Sequence, residues 1–70
     1  MFFFELVELE KDLVSLIREI NDTISVMLKA QSAGVGDYTK ELDKAYLDHE
    51  KAVNQLNEVH RKMRAFFKEE

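Results

Sequence analysis

Two histidines and three serines are the side chains most able to support metal binding or nucleophilic catalysis in this 70-residue chain. His49 and His60 are eleven residues apart, which on a helix is about three turns and 16 Å along the axis. That separation is too large for two ligands of one metal ion. Neither histidine follows a carboxylate at the third preceding position, since Tyr46 and Asn57 stand there. We therefore predict no metal site and no cofactor.

Nucleophilic chemistry has equally little support. Ser15, Ser25 and Ser32 have no histidine within reach along the sequence, and the chain has no cysteine. The G-V-G segment at 34–36 is too short for a phosphate-binding loop and follows no predicted strand. The carboxylates are numerous but spread over polar helix faces. The sequence favours a protein that is not an enzyme.

Composition narrows the classes of partner. A net charge of −4 argues against nucleic acid, which selects a surplus of Lys and Arg on one face. The apolar start, Phe2–Phe4, is followed at once by Glu5 and lacks the basic region of a signal peptide. No segment reaches the ~20 apolar residues of a membrane span. We expect a soluble, cytoplasmic protein whose partners are proteins.

Glycine and proline usage divides the chain into two helices. There is no proline, and both glycines lie in S-A-G-V-G-D at 32–37. We predict one hairpin domain over residues 1–70, with a helix at about 3–32, a turn at 33–37 and a helix at about 38–68. Gly34 is placed to end the first helix in a left-handed conformation, and Asp37 to cap the second.

Apolar residues in both segments alternate spacings of three and four, which is the pattern of coiled-coil positions a and d. The first row is Leu6, Leu9, Leu13, Leu16, Ile20, Thr23, Met27 and Ala30, widened by Ile17 and Ile24. The second row is Leu42, Ala45, His49, Ala52, Leu56, Val59, Met63 and Phe66, widened by Tyr46, Val53 and Phe67. A short link forces the helices antiparallel. The predicted fold class is all-α, an antiparallel two-helix hairpin of coiled-coil type.

Folding the chain about its glycine turn pairs residues whose numbers sum to about 70. Leu13 then meets Leu56, and the Phe2–Phe4 run meets Phe66 and Phe67. The acidic start of the first helix faces the basic end of the second, which supports the same register.

A polar group is expected within this seam. His49 occupies an a position opposite the segment that contains Asn21 and Thr23. We predict that His49 is hydrogen-bonded by one of them, and that these three residues form a polar core which fixes register and partner choice.

The apolar stripes are wider than one helix-to-helix contact uses. Extra apolar residues lie beside or outside them: Val7, Val14, Val26, Leu28 and Leu47. We therefore expect oligomerisation to complete a helical bundle, as a homodimeric four-helix bundle or as the small subunit of a heteromeric complex. The same heptads fit a closed hairpin and a dimer with exchanged helices.

The open end of the hairpin is the predicted partner-binding surface. It gathers Phe2, Phe3, Phe4, Met63, Phe66 and Phe67. Successive helical side chains are ~100° apart, so three adjacent phenylalanines cannot all point inward. At least one of them should face outward and contact a partner.

The overall pattern resembles the small co-chaperones of type III secretion systems. The features that carry this resemblance are the length, the Gly-containing turn S-A-G-V-G-D-Y and the Ala-containing second helix D-K-A-Y-L-D-H-E-K-A-V-N-Q-L-N-E-V. The resemblance implies a hairpin that binds a larger helical-repeat chaperone and keeps a needle subunit from polymerising.

A local resemblance points to a different activity. T-K-E-L-D-K-A at 39–45 is similar to the S-x-E-L-D motif of small helical phosphatases that act on the response regulator of the sporulation phosphorelay. The resemblance implies that Asp43 acts on an aspartyl phosphate, with Arg18 at a comparable distance upstream. Thr39 replaces the serine of the motif, the turn is shorter, and both helices are longer than that family needs.

Overall fold

The computed structural model describes residues 2–68, which fold into two long helices. Helix α1 spans Phe3–Ser32 and helix α2 spans Thr39–Lys68. They pack side by side in a rod with Cα extents of 56 × 15 × 14 Å. The predicted all-α antiparallel hairpin is confirmed. Its helices are long because no proline or glycine interrupts either segment.

The end of α1 is a Schellman motif centred on Gly34. This glycine has a φ of +75°, a conformation that costs residues with a Cβ atom free energy. The Gly34 N–H donates to the carbonyl of Gln31 at 3.1 Å, and the Val35 N–H donates to the carbonyl of Ala30 at 3.0 Å. The predicted left-handed termination at Gly34 is confirmed.

Side chains from both helices close the turn. The Asp37 carboxylate accepts hydrogen bonds from the Thr39 hydroxyl at 2.6 Å and the Thr39 N–H at 3.1 Å. The Gln31 side-chain oxygen accepts from the Tyr38 N–H at 2.9 Å, which links the last turn of α1 to the start of α2. Because Tyr38 accepts the first helical bond, from Leu42, Asp37 caps α2 from one position earlier than a standard N-cap.

The core is a narrow strip between the helices. The buried residues are Leu6, Leu13, Ile24, Leu42, Ala52 and Val59. Leu56 and Met63 are partly buried and pack against the cluster that Leu6, Leu13 and Val59 form. None of the buried residues in the described part of the chain is polar.

The helix register follows directly from two contacts. Glu10 is hydrogen-bonded to His60, and the ring of Phe3 packs against those of Phe66 and Phe67. Each pair has residue numbers that sum to 69 or 70. The structure therefore has the register that folding about the turn predicts.

The seam predicted for α1 combines two heptad positions, and the one that contains Leu9, Leu16 and Thr23 is wrong. The heptads place Leu9 and Leu16 in the seam, but these leucines are 42% and 44% exposed, and Thr23 is exposed as well. That side of the seam is formed by Phe3 and Glu10 together with Ile17 and Ile24, which the sequence predicts to widen the stripe, and each of the four is buried or half-buried. The rotation leaves a leucine row on one flank of the hairpin.

The reason for this rotation lies on α2. Phe66 and Phe67 supply aromatic partners for Phe3, and His60 supplies a polar partner for Glu10. The α2 row on the leucine side contains Asp48, Gln55 and Lys62, which gain little from packing against leucine.

Candidate interaction surface

The aromatic pole contains one inward phenylalanine between two exposed ones. The Phe3 ring centroid lies 5.5 Å from those of both Phe66 and Phe67, with interplanar angles of 72° and 81°. These are edge-to-face contacts, which aromatic rings favour. Phe2 and Phe4 are 71% and 69% exposed. The expectation that at least one residue of the run faces outward is therefore met by two.

The remaining residues of this predicted surface extend it inward along α2. Met63 is half-buried against the cluster of Leu6, Leu13 and Val59, whereas Phe66 and Phe67 are 42% and 68% exposed despite their contacts with Phe3. The pole thus combines a clasp that holds the helix ends together with apolar rings that remain accessible.

The predicted polar core does not assemble. His49 is half-buried, but Asn21 and Thr23 are exposed, and the Thr23 hydroxyl donates at 3.0 Å to the carbonyl of Glu19 in its own helix. Within residues 2–68, no hydrogen bond joins His49 to Asn21 or Thr23. The rotation of α1 that exposes Leu16 also turns Asn21 and Thr23 away from His49.

The cross-helix polar contact is formed by Glu10 and His60 instead, a pair that sequence reasoning missed. The Glu10 Oε2 and His60 Nε2 atoms lie 2.5 Å apart, and the two side chains are 33% and 41% exposed. The sequence did contain a signal for this pair. Folding about the turn places residue 10 opposite residue 60, and an acid and a histidine can form a hydrogen bond. The other ion pair of the described chain, Glu58 with Arg61, lies within α2.

A shallow groove runs along the leucine flank of the hairpin. It consists of three adjoining hollows of about 240, 330 and 220 Å³. The α1 wall is formed by Leu9, Leu13, Leu16, Glu19, Ile20 and Thr23, and the α2 wall includes Ala45, Asp48, Lys51, Ala52, Gln55, Glu58, Val59 and Lys62. We call this surface the leucine groove. It is concave because Ala45 and Ala52 leave space that larger residues would fill.

The opposite flank is apolar mainly towards its two ends. Val7 and Phe67 are exposed near the open end, and Leu28 and Tyr46 near the turn. Between Val7 and Leu28, the same heptad row of α1 contains Val14, which is half-buried, and Asn21, which is exposed. Asn21 therefore interrupts the apolar row of this flank, at a level where the leucine groove has Leu16 and Ile20.

The two residues singled out by the phosphatase resemblance are not brought together. Asp43 and Arg18 are both exposed. In the observed register Asp43 is level with Met27, nine residues from Arg18, or about 13 Å along the axis. Among the described residues, no three His, Asp or Glu side chains form a group suited to a metal ion.

No protein-family model, curated protein or solved structure matches this chain. Both resemblances therefore remain predictions from the sequence. Within residues 2–68, neither helix has a stretch long and apolar enough to cross a bilayer.

Proposed function

We propose that this protein is a non-enzymatic association module that acts by packing its helices against those of another chain. The observation that carries the proposal is the balance of apolar burial. Among the described residues six hydrophobic side chains are buried, whereas twelve large ones, from Phe2 to Phe67, are exposed. A small domain with that balance gains free energy when another apolar surface covers it.

The shape of the exposed surface favours helical partners. The leucine groove runs along the two antiparallel helices, and its apolar residues are spaced three and four apart. The apolar face of a further helix can pack into a groove of this kind. Two forms of assembly satisfy it: a four-helix bundle of two copies, or a complex with a larger helical chain, as in the co-chaperones that the sequence resembles.

Native mass spectrometry of untagged protein, purified from its own host, tests the proposal. We expect a stoichiometric assembly, either a homodimer or a complex with one helical protein. A chain that stays monomeric at all concentrations, with no co-purifying protein, contradicts it. Loss of phosphate from a phosphorylated response regulator, abolished by Asp43→Ala, would instead support the phosphatase interpretation.

A further inference from the structure

We propose that the partner is a second copy of this chain, docked leucine groove to leucine groove about a two-fold axis perpendicular to the helices. This inference rests on the proposed function and specifies its occupant. The axis passes at the level of Gln55 on α2 and between Leu13 and Leu16 on α1. Each helix then packs antiparallel against its own counterpart, and the two turns point in opposite directions.

The charges on the α2 wall of the leucine groove are complementary to themselves about Gln55. Asp48 lies seven residues before Gln55 and Lys62 seven after it. Lys51 lies four before and Glu58 three after. In an antiparallel contact centred on Gln55, Asp48 meets Lys62 of the second copy. Lys51 likewise meets Glu58, so the two-fold axis creates four pairs of opposite charge.

Four apolar residues of the α1 wall are symmetric in the same sense, whereas Glu19 and Thr23, towards the turn, have no counterpart in that wall. Leu9, Leu13, Leu16 and Ile20 all line the leucine groove. In an antiparallel contact of α1 with its counterpart, Leu13 meets Leu16 and Leu9 meets Ile20. The centre of this row lies between residues 14 and 15.

The two centres lie at one level of the hairpin. The hydrogen bond between Glu10 and His60 fixes the register of the two helices. In this register, residues that lie opposite each other on α1 and α2 have numbers that add up to about 70. Residue 55 is therefore opposite residue 15. A charged row on one helix and an apolar row on the other are each symmetric about that level, which is what a single two-fold axis requires.

The position of the axis allows extensive overlap. It lies within about three residues of the midpoints of both helices, so two copies overlap along nearly their whole length. A standard interface buries about 800 Å² per partner, which is a small part of the 5594 Å² of accessible surface of this chain. The surface of the hairpin is therefore large enough for such an interface. On the opposite flank, the α2 row Tyr46, Val53, His60 and Phe67 contains no acid–base pair. Glu50 and Arg64 beside that row have the spacing of Asp48 and Lys62, but both are exposed and neither lines the three hollows.

Charge reversal tests the arrangement by sedimentation equilibrium. Asp48→Lys and Lys62→Glu should each weaken dimerisation roughly tenfold, because each places two like-charged pairs in the dimer. An equimolar mixture of the two variants should recover near wild-type affinity, since each heterodimer contact then joins opposite charges. Asp48 and Lys62 are about 21 Å apart within one helix, so rescue cannot arise inside a chain.

Glu50→Lys and Arg64→Glu provide the matched control. These residues have the same spacing and the same signs as Asp48 and Lys62, but both are exposed and neither lines the leucine groove. Their reversal should change dimerisation by less than about twofold. The proposal would be overturned if Asp48→Lys and Lys62→Glu left dimerisation unchanged, or if their equimolar mixture dimerised as weakly as each variant alone.

The apolar half of the interface has its own matched pair. Leu16→Lys should weaken dimerisation more than a hundredfold, because the axis brings two of these charges into the apolar centre. Leu28→Lys should leave it unchanged, although Leu28 and Leu16 are almost equally exposed, at 43% and 44%. Circular dichroism of both variants reports retained helicity.

Cysteine cross-linking tests the position of the axis directly. The chain has no cysteine of its own. Gln55→Cys, next to the axis, should oxidise to a disulfide-linked dimer, whereas Asn57→Cys should stay monomeric on denaturing gels. A wild-type dimer insensitive to Leu16→Lys, with no link through position 55, would overturn this arrangement and leave the proposed function intact. A monomeric purified chain would overturn the second copy as partner.

Discussion

Phe3 and Phe4 are adjacent and identical in type, yet the structure gives them different roles. Phe3 is half-buried between the rings of Phe66 and Phe67, whereas Phe4 points to solvent. Helical geometry alone predicts that neighbours diverge by ~100°, but it does not say which of three phenylalanines turns inward. That choice depends on where α2 places its own aromatic residues.

We expect Phe3→Ala to lower the free energy of unfolding by about 1–2 kcal/mol, because it removes two edge-to-face contacts and half-buried apolar surface. Phe4→Ala is the matched control and should cost less than about 0.5 kcal/mol. Urea denaturation followed by circular dichroism measures both. Equal losses for the two variants would contradict the inward position of Phe3.

Asp37 provides a prediction with a defined pH dependence. The hydrogen bonds from the Thr39 hydroxyl and N–H favour the ionised carboxylate and lower the pKa of Asp37 below the ordinary aspartate value. A lowered folded-state pKa means that the stabilisation is present above the unfolded-state pKa and is lost as pH falls through the folded one.

The Asp37 carboxyl should therefore titrate, in carbon-detected NMR, at a lower pH than aspartate in an unfolded peptide. Asp37→Ala should lower the melting temperature at pH 7, and this difference from wild type should shrink at pH 2. A normal midpoint, or a difference that grows with acidity, would contradict the cap.

At the scale of elements, the turn tests how α1 ends. Gly34→Ala should destabilise the hairpin by about 1 kcal/mol, because alanine is strained at a φ of +75°. Gly36→Ala is the control, since its φ is not in the left-handed region and an added Cβ would lie 3.4 Å from the nearest atom, in the Tyr38 ring. Thermal unfolding distinguishes the two, and an equal loss at both positions would argue against the Schellman motif.

Sequence reasoning succeeded for the elements wherever local chemistry decides. Gly34 ends α1 because glycine alone adopts its backbone conformation without strain, and Leu42, Ala52 and Val59 lie in the seam of α2 as the heptads predict. The register about the turn follows from a short link, which leaves the antiparallel helices no other pairing.

The same reasoning failed for the α1 row that contains Leu9 and Leu16, because apolar spacing alone does not decide whether that row or the row of Phe3, Ile17 and Ile24 faces α2. Leu9 and Leu16 are as apolar as Phe3 and Ile17, and a charged residue at position 10 counts against the row that the structure uses. Only the partner helix resolves the choice, since His60 is fifty residues away from Glu10. The predicted polar core of His49, Asn21 and Thr23 failed for the same reason.

At the scale of the whole molecule, the exposed leucine row becomes the main feature. Leucines in the seam would be buried by α2, but Leu9 and Leu16 line the leucine groove instead. Acidic and basic residues of α2 lie beside them. The hairpin therefore presents an apolar centre with a charged border, the composition of many protein interfaces. Its stability should depend on protein concentration, because binding of a partner to the folded state raises the melting temperature.

Sedimentation equilibrium of the purified, untagged chain at several concentrations tests the central claim of helix-to-helix association most directly. The chain has a mass of 8.2 kDa. We predict a reversible equilibrium in which the average mass rises towards twice that value, and in which Leu16→Lys remains at the monomer mass. A wild-type chain that stays at 8.2 kDa across the range, while folded and without a helical partner in its host, would contradict the account.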